Sequence, residues 1–75
     1  RRRVMLEVNI SAELLDELVA ILPCLRAPTV SPLGGGDAFA VKVAAPRDML
    51  ASLIPEIKRR GGTDIVATQI SQLVP

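Results

Sequence analysis

The sequence contains no histidine, tryptophan or tyrosine, and its 75 residues include one cysteine and one phenylalanine. The absence of histidine removes the commonest metal ligand and the commonest general base. A single cysteine, Cys24, excludes an intramolecular disulfide and favours a reducing compartment. No apolar run approaches the roughly 20 residues that a membrane-spanning helix needs. Together these absences lead us to expect a cytoplasmic protein with no disulfide and no histidine-based site.

Charge and aromatic content argue against a nucleic-acid partner. Nine lysine and arginine residues oppose eight aspartate and glutamate residues, so the formal net charge is only +1. An electrostatic surface for phosphates usually carries a larger excess of basic groups. Many modules that bind single-stranded bases also stack them on exposed aromatic rings, and Phe39 is the one aromatic residue here. We therefore expect neither a nucleic-acid partner nor a membrane partner.

Four strand patterns and two helical patterns follow one another along the chain. The predicted strands cover residues 4–10, 27–33, 38–44 and 65–70, and the predicted helices cover 11–22 and 46–60. This order, βαββαβ, predicts an α+β ferredoxin-like sandwich: a four-stranded antiparallel sheet in the order 4-1-3-2, with both helices on one face. Because the chain is short, we expect residues 1–75 to form a single domain. Because the sequence begins without Met and enters a strand pattern almost at once, we expect it to be a fragment of a longer protein.

The positions of the prolines agree with this strand order. Pro28 and Pro32 stiffen the second strand, and a sheet tolerates proline mainly at an edge because proline has no amide to donate. In the order 4-1-3-2 the second strand is an edge strand. Pro55 instead falls inside the second helical pattern, where we expect a kink near Ala51 or a division into two short helices.

Capping and turn residues mark the ends of these elements. The hydroxyl of Ser11 is predicted to accept a hydrogen bond from an amide in the first turn of the first helix. Gly61 or Gly62 is predicted to adopt the left-handed conformation after the second helix. The segment GGGD, residues 34–37, lacks the Gly-Lys-Ser/Thr ending of a phosphate-binding loop and joins two strands, so we interpret it as a hairpin turn.

The sheet face turned away from the helices is predicted to carry small and polar side chains. These are Met5, Glu7, Asn9, Thr29, Ser31, Ala40, Lys42 and Ala44. Such a face can accept a second backbone or a polar small molecule. The two edge strands also offer a route to oligomers.

We expect no catalytic and no metal-binding residues in this segment. The acidic residues of the first helix, Glu13, Asp16 and Glu17, lie on its predicted solvent face, and no histidine is available to activate a serine or cysteine. Cys24 is interpreted as a packed side chain rather than a reactive thiol. The basic clusters at residues 1–3 and 58–60 are interpreted as solvated charge and helix-end charge.

Three blocks of the sequence, ILPCLRAPTVSPL, AFAVKVAAPRDML and GGTDIVATQISQLVP, resemble the C-terminal regulatory domain of long-form ATP phosphoribosyltransferase. The resemblance implies a ferredoxin-like domain that needs no cofactor, binds L-histidine between neighbouring subunits and mediates feedback inhibition of histidine biosynthesis. It implies a parent glycosyltransferase that joins ATP to phosphoribosyl pyrophosphate with Mg²⁺. It also implies that this parent forms homo-oligomers, from dimers to hexamers, and has its catalytic domains upstream.

The resemblance further implies a set of effector-binding residues: Asn9, Leu25, Ala27, Thr29, Ala44 and Asp64. Three positions in this region depart from the family's pattern. Asn9 stands where some members have an acidic residue that can meet a charged amine, Ala27 replaces a serine, and Cys24 replaces a glycine. Losing one charge-assisted hydrogen bond costs about 1.5 to 3 kcal/mol, roughly tenfold to over a hundredfold in affinity.

Three functions stay open from the sequence. The first is an allosteric domain that binds L-histidine. The second is a structural assembly module of the same enzyme that no longer senses histidine, favoured by the small-residue sheet face and by the departures at Asn9 and Ala27. The third is a small RNA- or metal-binding ferredoxin-like module, favoured by the two basic clusters but lacking the aromatic residues and the His/Cys ligands of such modules.

Overall fold

A computed structural model describes residues 2–23 and 27–75 of the chain. It contains four strands and two α-helices in the order βαββαβ, as predicted. The strands are β1 (Arg3–Ser11), β2 (Thr29–Pro32), β3 (Ala38–Pro46) and β4 (Thr63–Gln69), and the helices are α1 (Leu15–Ile21) and α2 (Leu50–Arg59). A short 3-10 turn precedes each helix, at Ala12–Leu14 and Arg47–Met49.

The four strands form one antiparallel sheet in the order β2-β3-β1-β4, which is the predicted order read from the opposite edge. The register aligns Thr29 with Lys42, and Lys42 with Glu7. Directly opposed residues share one face of a sheet. Thr29 therefore lies on the same face as Lys42 and Glu7, away from the buried face.

The core fills the space between the other face of the sheet and the two helices. From Val4 to Ser11, β1 alternates between buried and half-buried positions, which reflects its apolar-polar sequence pattern. The buried cluster unites residues from β1, β3, the α1 region and α2: Leu6, Val8, Ile10, Leu18, Leu22, Val41, Val43, Ala45, Leu53 and Ile57. Because both helices contribute to this one cluster, they cover the same face of the sheet, and the predicted ferredoxin-like arrangement is confirmed.

The start of the first helix differs from the prediction. Ser11 makes no side-chain cap hydrogen bond, so the expected N-cap interaction is wrong. Ser11 is still part of β1, opposite Ala38, and a 3-10 turn separates it from α1. The backbone supplies one acceptor instead, since the Ala12 amide donates to the Asp37 carbonyl at 2.9 Å. The hairpin turn at residues 34–37 thus supplies a hydrogen-bond acceptor for the first amide of the 3-10 turn that precedes α1.

The second helix runs from Leu50 to Arg59 without a break at Pro55. Of the two predicted alternatives, the division into two helices is therefore wrong, whereas the kink near Ala51 stays a prediction. A 3-10 turn lies before Leu50. Gly61 has a φ of 95°, which confirms the predicted left-handed cap. Gly62 is buried against Ile57 and Val8, where a Cβ atom would have no room.

The proline-containing strand lies at the edge of the sheet, as predicted. Thr29–Pro32 pairs with β3, and the structure describes no partner on its outer side. The Leu33 amide donates to the Ala38 carbonyl at 2.9 Å and closes the hairpin into β3. Within residues 2–23 and 27–75, no helix is long and apolar enough to cross a membrane.

Candidate functional site

The sheet face that the helices leave uncovered carries the small and polar side chains that the sequence predicts. Cross-strand neighbours on this face include Asn9 beside Ala40, Met5 beside Ala44, and Ser31 beside Ala40. Lys42 Nζ lies 3.9 Å from Glu7 Oε2, and both side chains are about half exposed, at 52% and 47%. A surface ion pair of this kind contributes little to stability. We call this surface the open face.

One cavity of about 370 Å³ lies on the open face, between β3, the start of β2 and the C-terminal segment. It contains three of the predicted effector-binding residues, namely Ala27, Thr29 and Ala44. Its other lining residues are Arg3, Met5, Lys42, Val43, Leu73, Val74 and Pro75. The cavity is within the usual size range of small-ligand sites, about 300 to 1,000 Å³. We call it the Thr29 cavity.

The chemistry of the Thr29 cavity suits a small anionic group beside an apolar body. The Thr29 hydroxyl can donate or accept a hydrogen bond, and Arg3 and Lys42 supply two positive charges. Met5 and Leu73 supply apolar surface. No carboxylate side chain lines the cavity among the described residues, and the Glu7 carboxylate beside it lies 3.9 Å from Lys42 Nζ.

A second group of predicted residues meets where β1 and β4 pair. Asn9 Nδ2 donates to Asp64 Oδ2 at 3.3 Å, and Thr63 Oγ1 donates to the Asn9 carbonyl at 3.4 Å. The β1–β4 register shifts between Glu7 and Asn9. Asp64 has a φ of 52°, a left-handed conformation that aspartate and asparagine adopt more readily than most residues. This irregularity turns the Asp64 carboxylate toward Asn9.

The two groups are separated along the open face. Ala44 is opposite Met5 and Ala40 is opposite Asn9, so the Met5 end of the Thr29 cavity lies four positions along β1 from Asn9. At about 3.3 Å per residue this is a distance of about 13 Å. Asp64 instead lines a cavity of about 330 Å³ together with Ile54, Lys58, Gly62, Thr63, Ile65 and Ala67. A single copy of the chain does not gather the predicted set into one site, and Leu25 lies outside the described residues.

Several residues of the Thr29 cavity were not predicted as site residues. Met5 and Lys42 were placed on the open face, but their contact with the cavity follows from the strand register, which aligns Thr29 with Lys42 and Ala44 with Met5. The C-terminal residues Leu73 and Val74 were missed because no strand or helix pattern fixes their path. Cross-strand alignment was the signal that could have identified Lys42 and Met5.

The other ionisable groups lie mainly at the surface. The three acidic residues predicted on the solvent face of the first helical pattern are exposed: Glu13, Asp16 and Glu17. Hydrogen bonds from Arg59 and Arg60 hold the pKa of the Glu56 carboxyl below its usual value of 4.5. Among the described residues, no three acidic, cysteine or histidine side chains lie close enough together to hold a metal ion. Cys24 lies outside the described residues.

Comparison with known proteins identifies the family. The family described as "HisG, C-terminal domain" matches residues 1–72. The chain is similar to ATP phosphoribosyltransferases of Pyrobaculum islandicum (38% identity over 96% of this chain and 26% of the relative) and Pelotomaculum thermopropionicum (37% over 100% and 26%). It is also similar to that of Corynebacterium jeikeium, with 43% identity over 89% of this chain and 24% of the relative. The chain thus spans about a quarter of the length of these relatives. It belongs to the HisG C-terminal domain family.

Proposed function

We propose that this domain binds L-histidine as an allosteric effector and mediates feedback inhibition of a parent ATP phosphoribosyltransferase. The observation that carries the proposal is the division of charge on the open face. Cationic Arg3 and Lys42 line the Thr29 cavity, whereas the Asp64 carboxylate lies with Asn9 at the other end of β1. A free amino acid carries both a carboxylate and an ammonium group, so it needs partners of both signs.

A second copy of the chain can supply the missing partner. The Thr29 cavity offers a hydroxyl and two cations for the ligand carboxylate, but within the described residues it offers no carboxylate for the ammonium group. An opposed copy that brings its Asn9 and Asp64 over this cavity completes the set. Effector binding then favours the assembly in which two open faces meet, and this change in relative stability is what allosteric inhibition requires.

The departures at Asn9 and Ala27 weaken the site without removing it. Asp64 still supplies a carboxylate beside Asn9, and Thr29 still supplies a hydroxyl two residues from Ala27. Each lost charge-assisted hydrogen bond lowers affinity by roughly tenfold or more. We therefore expect L-histidine to bind more weakly than it would to a domain that has an acidic residue at position 9 and serine at position 27.

The rest of the proposed parent protein would carry the reaction. In this proposal its other domains join ATP to phosphoribosyl pyrophosphate with Mg²⁺, and homo-oligomers provide the paired open faces. The contribution of the 75-residue domain is to bind the effector and to change the stability of the assembly.

Isothermal titration of L-histidine into the full-length protein tests the proposal. We expect saturable binding, accompanied by inhibition of phosphoribosyl transfer. The variant Thr29→Val removes the hydroxyl in the cavity and should weaken binding by roughly tenfold. Ser31→Val is the matched control, because Ser31 is exposed on the same strand and the same face but does not line the cavity. No heat and no inhibition at millimolar L-histidine, or equal losses in both variants, would contradict the proposal.

A second candidate function is assembly alone. Val66 lies on the open face opposite Glu7 and is 52% exposed, and Ala40 and Ala44 add small side chains to the same face two strands away, on β3. Such a surface can pack against a second copy without any effector. This function predicts that removal of residues 1–75 from the full-length protein dissociates its oligomer, and that L-histidine changes neither assembly nor activity. Sedimentation velocity with and without L-histidine distinguishes the two functions.

A further inference from the structure

A separate cavity of about 620 Å³ lies at the end of the sheet where β1 begins and β3 and β4 end. It is lined by Arg2, Arg3, Arg47, Gln69, Ile70, Ser71, Gln72 and Leu73. We call it the arginine cavity. It shares Arg3 and Leu73 with the Thr29 cavity. Arg47 lines the arginine cavity and does not line the Thr29 cavity.

Backbone pairing brings the three arginines to this end of the sheet. The register places Arg3 opposite Pro46, and the Arg47 amide donates to the Arg2 carbonyl at 3.0 Å. Gln69, at the end of β4, is opposite Val4. The arginine cavity is therefore built on three adjacent strands, β3, β1 and β4, and on the segment that follows β4.

Among the described residues, no carboxylate side chain lines this cavity. No ion pair or side-chain hydrogen bond joins Arg2, Arg3 or Arg47 to a carboxylate among the described residues. Other cations of the molecule do have such partners, since Glu56 binds both Arg59 and Arg60. Three like charges around one cavity repel one another, and an anion between them would relieve that repulsion.

We propose that the arginine cavity binds a small molecule with two or more phosphate-type negative charges. Guanidinium groups match phosphate oxygens through paired N–H donors, and Arg is favoured wherever such bidentate recognition is needed. Ser71, Gln69 and Gln72 add neutral donors for further oxygens. A single carboxylate would offset one of the three charges, whereas a pyrophosphate group offsets most of them. This site adjoins the proposed effector site, with which it shares Arg3 and Leu73, and it differs from that site in containing Arg47.

Crystals of the full-length protein soaked in tungstate, a tetrahedral oxyanion with strong anomalous scattering, test the location. We expect an anomalous peak in the arginine cavity, in contact with Arg47. The double variant Arg3→Gln/Arg47→Gln should lose this peak. An unchanged peak in the double variant, an empty cavity, or a carboxylate from another part of the full-length protein between the arginines would overturn the proposal.

Equilibrium dialysis with inorganic pyrophosphate tests the same site in solution. We expect the double variant to bind one pyrophosphate fewer per chain than the unmodified protein. Arg47→Gln alone should weaken that one site by about tenfold or more. Lys58→Gln, which removes an exposed positive charge elsewhere, should leave the stoichiometry unchanged. Equal stoichiometry in the unmodified and double-variant proteins would overturn the proposal.

The two proposed sites can be separated by one variant. Because Arg47 does not line the Thr29 cavity, Arg47→Gln should leave the affinity for L-histidine unchanged while it weakens pyrophosphate binding. Loss of L-histidine binding with intact pyrophosphate binding in this variant would contradict the separate anion site. Failure of L-histidine to bind any form of the protein would instead contradict the proposed effector function. The pyrophosphate measurements would then decide the anion-site proposal by themselves.

Discussion

Asn9 and Asp64 are joined by a hydrogen bond of 3.3 Å between Asn9 Nδ2 and Asp64 Oδ2, although 55 positions separate them in the chain. The amide can donate to the carboxylate, whereas a second carboxylate at position 9 could not. Asn9 therefore places a hydrogen-bond donor, rather than a second negative charge, beside the Asp64 carboxylate. This relationship makes the charge at position 9 a testable determinant of stability.

The variant Asn9→Asp should lower the free energy of unfolding by about 1 kcal/mol at pH 7, since two adjacent carboxylates repel. The repulsion raises the folded-state pKa of the new pair above its unfolded value. The penalty is therefore present at neutral pH and is lost as the pH falls through the raised pKa, until both groups are protonated. Urea unfolding at pH 7 and pH 3 measures it. Asn9→Ala is the control, because it removes the hydrogen bond without adding charge, and its effect should not depend on pH in this way.

The variant Gly62→Ala should destabilise the domain by about 1 to 3 kcal/mol, as expected for overpacking. A Cβ atom at this position would lie 2.5 Å from Ile57 Cγ2 and 2.8 Å from Val8 Cγ2, and both neighbours are core residues. Gly34→Ala is the matched control, because nothing lies within 4 Å of its Cβ position. In urea unfolding, we expect a lower free energy of unfolding for Gly62→Ala and little change for Gly34→Ala. Equal unfolding midpoints for the two variants would contradict this account of the packing.

Glu56→Gln should reduce stability at pH 7 and not at pH 3. Hydrogen bonds from Arg59 and Arg60 lower the folded-state pKa of Glu56 below 4.5, so the unfolded state binds the proton more readily. The stabilising contribution is present above the unfolded pKa and is lost as the pH falls through the folded value. Chemical unfolding should show that the midpoints of the unmodified protein and of Glu56→Gln converge as the pH falls from 7 to 3. Glu17→Gln, on an exposed position of α1, should give a smaller difference at pH 7. If the stability difference between Glu56→Gln and the unmodified protein persists at pH 3, it does not come from the ionised Glu56 carboxylate.

Pro55→Ala should raise the free energy of unfolding by about 2 kcal/mol. Proline in a helix interior costs about 3 kcal/mol, because the Ala51 carbonyl loses its amide donor and the ring crowds the preceding turn. The lower flexibility of proline in the unfolded chain offsets up to about 1 kcal/mol of this. Pro32→Ala, on the edge strand, is the control and should change stability far less. An unchanged midpoint for Pro55→Ala would show that α2 accommodates the proline without cost.

The sequence predicted the fold because its strong signals are local. Alternation in β1 and β3 identified the buried face, and Pro28 and Pro32 identified an edge strand. The helix ends were less predictable. Ser11 has the right residue type for an N-cap, but its pairing with Ala38 keeps it in β1. A tertiary interaction thus overrides a local preference.

The candidate sites were harder to predict because they depend on register. The resemblance selected Ala27, Thr29 and Ala44, which share a cavity, together with Asp64, which does not lie there. The shift in the β1–β4 pairing and the path of the residues after β4 decide this division, and neither follows from a repeating pattern. The approach of Arg47 to Arg2 likewise depends on strands that are distant in sequence.

Pro28, just before β2, and Pro32, at its end, limit how this edge of the sheet can pair with another strand. Because the Leu33 amide points inward to Ala38, alternation points the amides of Thr29 and Ser31 inward as well, and positions 28, 30 and 32 face outward. Two of those three outward positions are proline, so Val30 alone offers an amide to a would-be fifth strand. An invading peptide would find almost no amide there to donate a hydrogen bond to its carbonyl oxygens, and fibril-like growth is disfavoured at that border.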